Sequence, residues 1–169
     1  MYSMNVQSDW RTDYVELEKQ TDALLSGETD LIANLSNSAA LLNEALEAIN
    51  WVGFYLIKGQ GDQRQLVLGP FQGKPACVRI AIGKGVCGTA VKENRSQLVE
   101  DVHEFPGHIA CDSQSRSEIV IPIRNRGEVV GVLDIDSPFL ARFSEEDRAG
   151  LEQIGAVIER HCFNTLEKR

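Results

Sequence analysis

Apolar residues recur at helical spacing twice near the start of the chain. Between positions 12 and 26, Tyr14, Leu17, Leu24 and Leu25 are spaced by acids and Lys19. This predicts an amphipathic helix, and Gly27 stops it because glycine tolerates a positive φ. Thr29 or Asp30 is placed to cap a second helix with the stripe Leu31, Ile32, Leu35, Ala39, Leu42, Leu46 and Ile49. At Asn50 the pattern changes. The run 51–57 is aromatic and β-branched, which predicts a strand covered on both faces. Residues 58–62 hold two glycines and read as a turn, so 65–68 is the returning strand of a hairpin. A third strand is predicted over 77–82, a short helix over 88–93 and a brief strand near Leu98 and Val99.

Positions 100–117 show no periodicity and contain Pro106 and Gly107. A loop this long in a compact domain is usually functional or disordered. Residues 118–123 and 128–136 form a second hairpin around Asn125, Arg126 and Gly127. Ser144 with Asp147 resembles a capping box, in front of a closing helix lined by Leu151, Ile154, Val157, Ile158 and Cys162. The order predicts an α+β fold, an antiparallel sheet with the terminal helices packed on one face. The whole chain, 1–169, reads as one domain: helices in 1–49, sheet and loops in 50–136, and a last helix in 144–166.

Composition narrows the class. With 43% hydrophobic and 25% charged residues, disorder, collagen and coiled coil are excluded. The net charge of −8 and the scattered Lys and Arg argue against nucleic acid and anionic membranes as partners. No stretch approaches the ~20 apolar residues of a membrane helix. The start has neither a basic nor an apolar leader segment, so a cytoplasmic location is expected. In a reducing compartment Cys77, Cys87, Cys111 and Cys162 read as buried, metal-binding or catalytic rather than as structural disulfides.

The segment Gly83-Lys84-Gly85-Val86-Cys87-Gly88 matches G-x-G-x-x-G, but a dinucleotide fold needs a long crossover helix and parallel strands, which the pattern lacks. The corner does place Cys87 at a helix start, where backbone N–H groups lower a thiol's pKa, so Cys87 is expected to be reactive. Cys111 lies in the long loop near His108, and Cys77 at the entrance of a strand. Cys162 falls on the apolar stripe of the last helix and reads as an inert core thiol. No C-x₂₋₄-C knuckle accompanies these cysteines, so no metal is expected. A nucleophile with resolving partners fits their placement better. Along the strand 128–136, Asp134 and Asp136 share a face with Val130 and Val132, while Leu133 and Ile135 take the other. Carboxylates on a covered strand are costly unless they bind something or cap a turn, and Glu118 starts the partner strand.

With these residues in place, the chain resembles a GAF domain, and more narrowly the free methionine-(R)-sulfoxide reductase family. The matching text is 51–56, 68–73, Cys77, Gly83-x-Gly85-Val86-Cys87-Gly88, 108–112, 117–122 and 131–137, nearly the whole length. The resemblance implies a ligand pocket on the sheet face opposite the terminal helices. It also implies reduction of the R epimer of free methionine sulfoxide. Cys111 would attack, Cys77 would resolve and Cys87 could take part. Glu118, Asp134 and Asp136 would bind substrate and deliver a proton, and Trp51 and Tyr55 would form an aromatic wall. No bound cofactor is implied. Thioredoxin, fed by NADPH through thioredoxin reductase, would recycle the enzyme, and a homodimer is left open. The alternative is a GAF sensor that binds a small molecule without catalysis.

Overall fold

Two hairpins supply the centre of the sheet. The first joins β1 (Trp51–Lys58) to β2 (Gln65–Gly73), and the second joins β5 (Ser117–Asn125) to β6 (Glu128–Ser137). Short strands β3 (Arg79–Ala81) and β4 (Gln97–Val99) flank them. The helices are α1 (Tyr14–Leu25), α2 (Leu31–Ala45), α3 (Gly85–Glu93) and α4 (Glu145–Cys162). This is a computed structural model that describes residues 10–108 and 113–164. The six strands form one sheet in the order β3-β2-β1-β6-β5-β4, with each neighbouring pair antiparallel.

Local chemistry explains most element boundaries. The Asp13 carboxylate accepts from Glu16 N to cap α1, and Gly27 follows its end with φ +83°. Asp30, not Thr29, caps α2 by accepting from Ala33 N. That helix stops at Ala45, and the predicted stripe packs through Leu31, Leu35, Ala39, Leu42, Leu46 and Ile49, with only Ile32, 57% exposed, off it. Arg126 and Gly127 both take positive φ between the paired Asn125 and Glu128, the two-residue turn that suits a twisted hairpin. Ser144 and Asp147 exchange side-chain and backbone hydrogen bonds in a full capping box before α4. Strand β2 runs on to Gly73, beyond the predicted 68, and β3 is only half as long as expected.

Two cores result. On one face Val52, Phe54, Leu56, Ile119, Ile121, Leu133 and Ile135 pack against the apolar stripes of α1, α2 and α4. On the other, Trp51, Tyr55, Val120 and Val132 meet Leu66, Ile80 and the inner side of α3. Val130 departs from the predicted alternation. The register slips between Ile123 and Arg124, leaving Val130 as the extra residue on β6 and turning it to the helix-packed face.

The borders of the sheet are short. Strand β4 pairs only with Glu118, Ile119 and Val120, so 121–125 continues along an open edge. There Pro122 has no N–H to offer, Arg124 N donates to Glu159 Oε1 at 2.8 Å, and the Arg124 guanidinium holds Asn94.

Candidate active site

Strand register collects the acids. Asp136 of β6 lies between Trp51 of β1 and Glu118 of β5, and Asp134 lies between Gly53 and Val120. Tyr55 and Val132 form the next row. Laterally paired residues share a face, so these rows look into one pocket. Trp51, Tyr55, Glu118, Asp134 and Asp136 line it from the sheet, Lys84, Gly85, Val86 and Cys87 from the corner of α3, and Lys74, Pro75, Ala76, His108 and Ser115 from the loops. About 610 Å³ of empty space lies inside it, the part open to solvent included. The fold class is therefore as expected, with terminal helices on one face of the sheet and the pocket on the other.

The polar floor is buried. Glu118 is 8% exposed and Asp134 5%. Side-chain atoms of Glu118, Asp134 and Cys87 all lie within 4.8 Å of one another, with Asp134 hydrogen-bonded to the other two. Burial pushes the Glu118 carboxyl well above the usual carboxylate range, and the neighbouring charges of Asp134 and Asp136 push the same way. Burial also raises Asp134, but the proton-bearing groups of Glu118 and Cys87 face it and favour its charged form. Asp134 Oδ1 has no hydrogen-bond partner among the described residues. Glu118 is thus the more strongly protonated of two buried acids, and it can give up a proton in a water-poor site.

Cys87 corrects the sequence reading. Gly85 opens α3 with φ +61°, so the helix starts three residues earlier than predicted and Cys87 is its third residue. It is 4% exposed. Burial, followed by the negative charges of Asp134, Glu118 and Asp136, raises its thiol well above the ordinary value. Desolvation and three nearby acids outweigh the helix terminus, so Cys87 is a protonated thiol and not an activated one. No βαβ unit surrounds the glycines. Gly88 is there because a Cβ would come within 2.4 Å of Ala81 O at the tight strand-to-helix corner.

Above the acids stands an aromatic wall. The Trp51 ring stacks on Phe71 with centroids 5.2 Å apart and on Tyr55 at 5.9 Å. Trp51 Nε1–H donates to Lys74 O at 3.1 Å, and Tyr55 O–H donates to Cys77 O at 2.9 Å. Burial, reinforced by the charge of Asp134, pushes the Tyr55 hydroxyl far above its usual range, so it stays a neutral donor. Phe71 and Lys74 were not among the predicted site residues. Phe71 sits in the text 68–73, and the β2 strand that carries it to Trp51 is longer than the propensity of 65–68 suggests.

Cys77 is disulfide-bonded, whereas Cys87 and Cys162 are free thiols. Cys111, expected to be the nucleophile, lies outside the described residues. His108 borders the pocket, and burial together with nearby His103 lowers its pKa, favouring neutral imidazole. Cys162 is half-buried against the helix-packed core, its thiol pushed up to about 11 by burial, and it is not among the pocket residues. No helix among the described residues is long and apolar enough to cross a membrane.

Comparison with known proteins agrees with this geometry. Residues 30–161 match the GAF domain family. The chain is 54% identical over 156 residues to the free methionine-R-sulfoxide reductase of Escherichia coli K12, covering 92% of each chain. It superposes on the structure of the reduced form of fRMsr of Staphylococcus aureus with a TM-score of 0.85 and 53% identity, covering 95% of this chain and 99% of that one. The free methionine-R-sulfoxide reductase of Neisseria meningitidis, solved in complex with its substrate, matches with a TM-score of 0.83 and 47% identity over 88% of this chain and 87% of that one. The chain therefore belongs to the GAF domain family and, within it, to the free methionine-R-sulfoxide reductases.

Proposed function

We propose that this enzyme reduces free L-methionine (R)-sulfoxide to methionine by cysteine chemistry, with Cys111 as nucleophile and Cys77 as the main resolving thiol. One observation carries the reading. A buried, proton-holding Glu118 sits beside Asp134 and Asp136 on the same sheet face as the stacked Trp51 and Tyr55. A sulfoxide oxygen leaves poorly until it is protonated, so the site needs a thiol nucleophile and an acid together. The carboxylates pair with the ammonium of a free amino acid, and the aromatic rings hold its methyl group.

The Cys111 sulfur attacks the sulfoxide sulfur while Glu118 delivers a proton to the oxygen. Oxygen passes to the cysteine as a sulfenic acid, and methionine leaves as the thioether. The Cys77 sulfur then attacks the sulfenic sulfur, the S–O bond breaks and the oxygen departs as water, leaving a disulfide. The disulfide at Cys77 supports a redox role for this thiol. A dithiol of the thioredoxin type, supplied by NADPH through thioredoxin reductase, returns both thiols. Such recycling suits a cytoplasmic enzyme.

The test is thioredoxin-coupled NADPH consumption with each purified epimer. The free R-sulfoxide is expected to turn over, and the S epimer and an N-acylated R-sulfoxide to turn over poorly. Equal rates with the N-acylated compound would remove the role given to the carboxylates. Tight binding with no thiol loss would favour a sensor.

A further inference from the structure

Trp51 and Tyr55 do more than face the pocket. Both are almost fully buried, and both reach out of β1 to the same connection between β2 and β3. The indole N–H holds the carbonyl of Lys74, and the phenol O–H holds the carbonyl of Cys77, three residues further on. The connection meets the sheet again at Val78, whose carbonyl accepts from Leu68 N at 2.9 Å. At its start Gly73 has φ +141°, and a Cβ there would come within 2.5 Å of Trp51 Cδ1, so only glycine lets the chain leave β2 this close to the ring. The rings are themselves braced, Trp51 by Phe71 and Tyr55 by Trp51. The backbone of Cys77 is thus fixed by a donor on a central strand of the sheet.

We infer that Tyr55 is a positioning residue for the resolving step, its hydroxyl holding the Cys77 backbone so that the thiol stays within reach of the sulfenic acid. The inference rests on the proposed roles of Cys77 and Cys111. It separates the ring of Tyr55, which walls the pocket, from its hydroxyl, which serves the second half of the reaction. The step served is the attack of the Cys77 thiol on the sulfenic sulfur, which forms S–S, breaks S–O and releases water.

Tyr55→Phe keeps the ring and removes the donor. Reduced enzyme is mixed with one equivalent of methionine (R)-sulfoxide in the absence of reductant, and methionine release and disulfide closure are followed separately. The ratio of the closure rate to the release rate is expected to fall about three- to tenfold, the rate equivalent of one ordinary hydrogen bond, whatever the change in release itself. Sulfenic acid, trapped with dimedone and weighed by mass spectrometry, should accumulate in between. A merely structural role would slow both steps alike, and that result, or closure at the parental rate, overturns the inference. Cys77→Ser run in parallel separates the two levels. If Cys77→Ser leaves closure intact, the resolving role itself is wrong and the inference falls with it. If Cys77→Ser blocks closure and Tyr55→Phe does not slow it, only the positioning role fails.

Discussion

Leu133 and Ile135 look toward the terminal helices, while Asp134 and Asp136, their immediate neighbours on β6, look into the pocket. The same strands therefore build two surfaces of different kinds. On the helix side fully buried aliphatic groups pack against α1, α2 and α4, and burial there is favourable by about 25 cal/mol per Å². On the pocket side burial is spent on a thiol and carboxylates, where it works against the charged forms and shifts their protonation. One side supplies stability, and the other uses that stability to hold groups in states that water would not allow. The difference predicts that substitutions on the two faces will separate activity from folding.

The largest effect is expected at Cys111, the proposed nucleophile. Cys111→Ser should abolish release of even one equivalent of methionine, measured in a single turnover; one equivalent released would transfer the nucleophile to another thiol. Next comes Glu118→Gln, which removes a buried proton donor without changing volume. Turnover should fall about 10²- to 10⁴-fold, the usual worth of a positioned general acid, while the thermal midpoint holds or rises. Unchanged kcat would reduce Glu118 to a strand-end charge.

Leu133→Ala, on the helix face, should do the reverse. Loss of a fully buried leucine is expected to cost about 2–5 kcal/mol in urea unfolding, with kcat per folded molecule within about twofold of the parent. A large fall in kcat at full folding would show that the two faces are coupled. The pH dependence sharpens the same contrast. Glu118 and Asp134 hold protons in the folded state that the unfolded chain releases above about pH 4. The native state then binds more protons, so stability falls as pH climbs from that point and levels off once the folded groups ionise. Glu118→Gln should therefore gain on the parent between pH 4 and 7, by at most about 1.4 kcal/mol per pH unit. A constant difference across that window would mean that Glu118 is not held protonated. The smallest effect is reserved for Cys162→Ser, which should leave turnover unchanged and shift stability by about 1 kcal/mol or less, since the thiol is only half-buried.

Much of the helix-packed side was legible because periodicity reports burial directly. The stripe of α4, that of α1 apart from the exposed Leu24, both hairpins and the capping box at Ser144 follow from spacing and turn chemistry. The acids were half legible. Alternation places Asp134 and Asp136 on one face, but only register brings Glu118 opposite Asp136. The slip at Val130 shows how one bulge defeats alternation a few residues away. Cys87 was misread for a related reason. Its position in the helix is local and visible, whereas the three acids that reverse its chemistry come from β5 and β6. The hydrogen bonds from Trp51 and Tyr55 to the 74–77 segment join residues more than twenty positions apart, and no local pattern announces them.

The treatment of the sheet border bears on how the protein behaves at high concentration. Both outermost strands, β3 and β4, are three residues long, and Arg79 of β3 is exposed. Where β5 runs on past β4, Pro122 and the Arg124 N–H bound to Glu159 interrupt the row of free backbone groups that a foreign strand would pair with. Along β5, folded molecules thus offer one another no continuous edge for β-pairing among the described residues. Detachment of α4 would withdraw Glu159 from that edge, and Glu159→Ala would free the Arg124 N–H for pairing with a foreign strand.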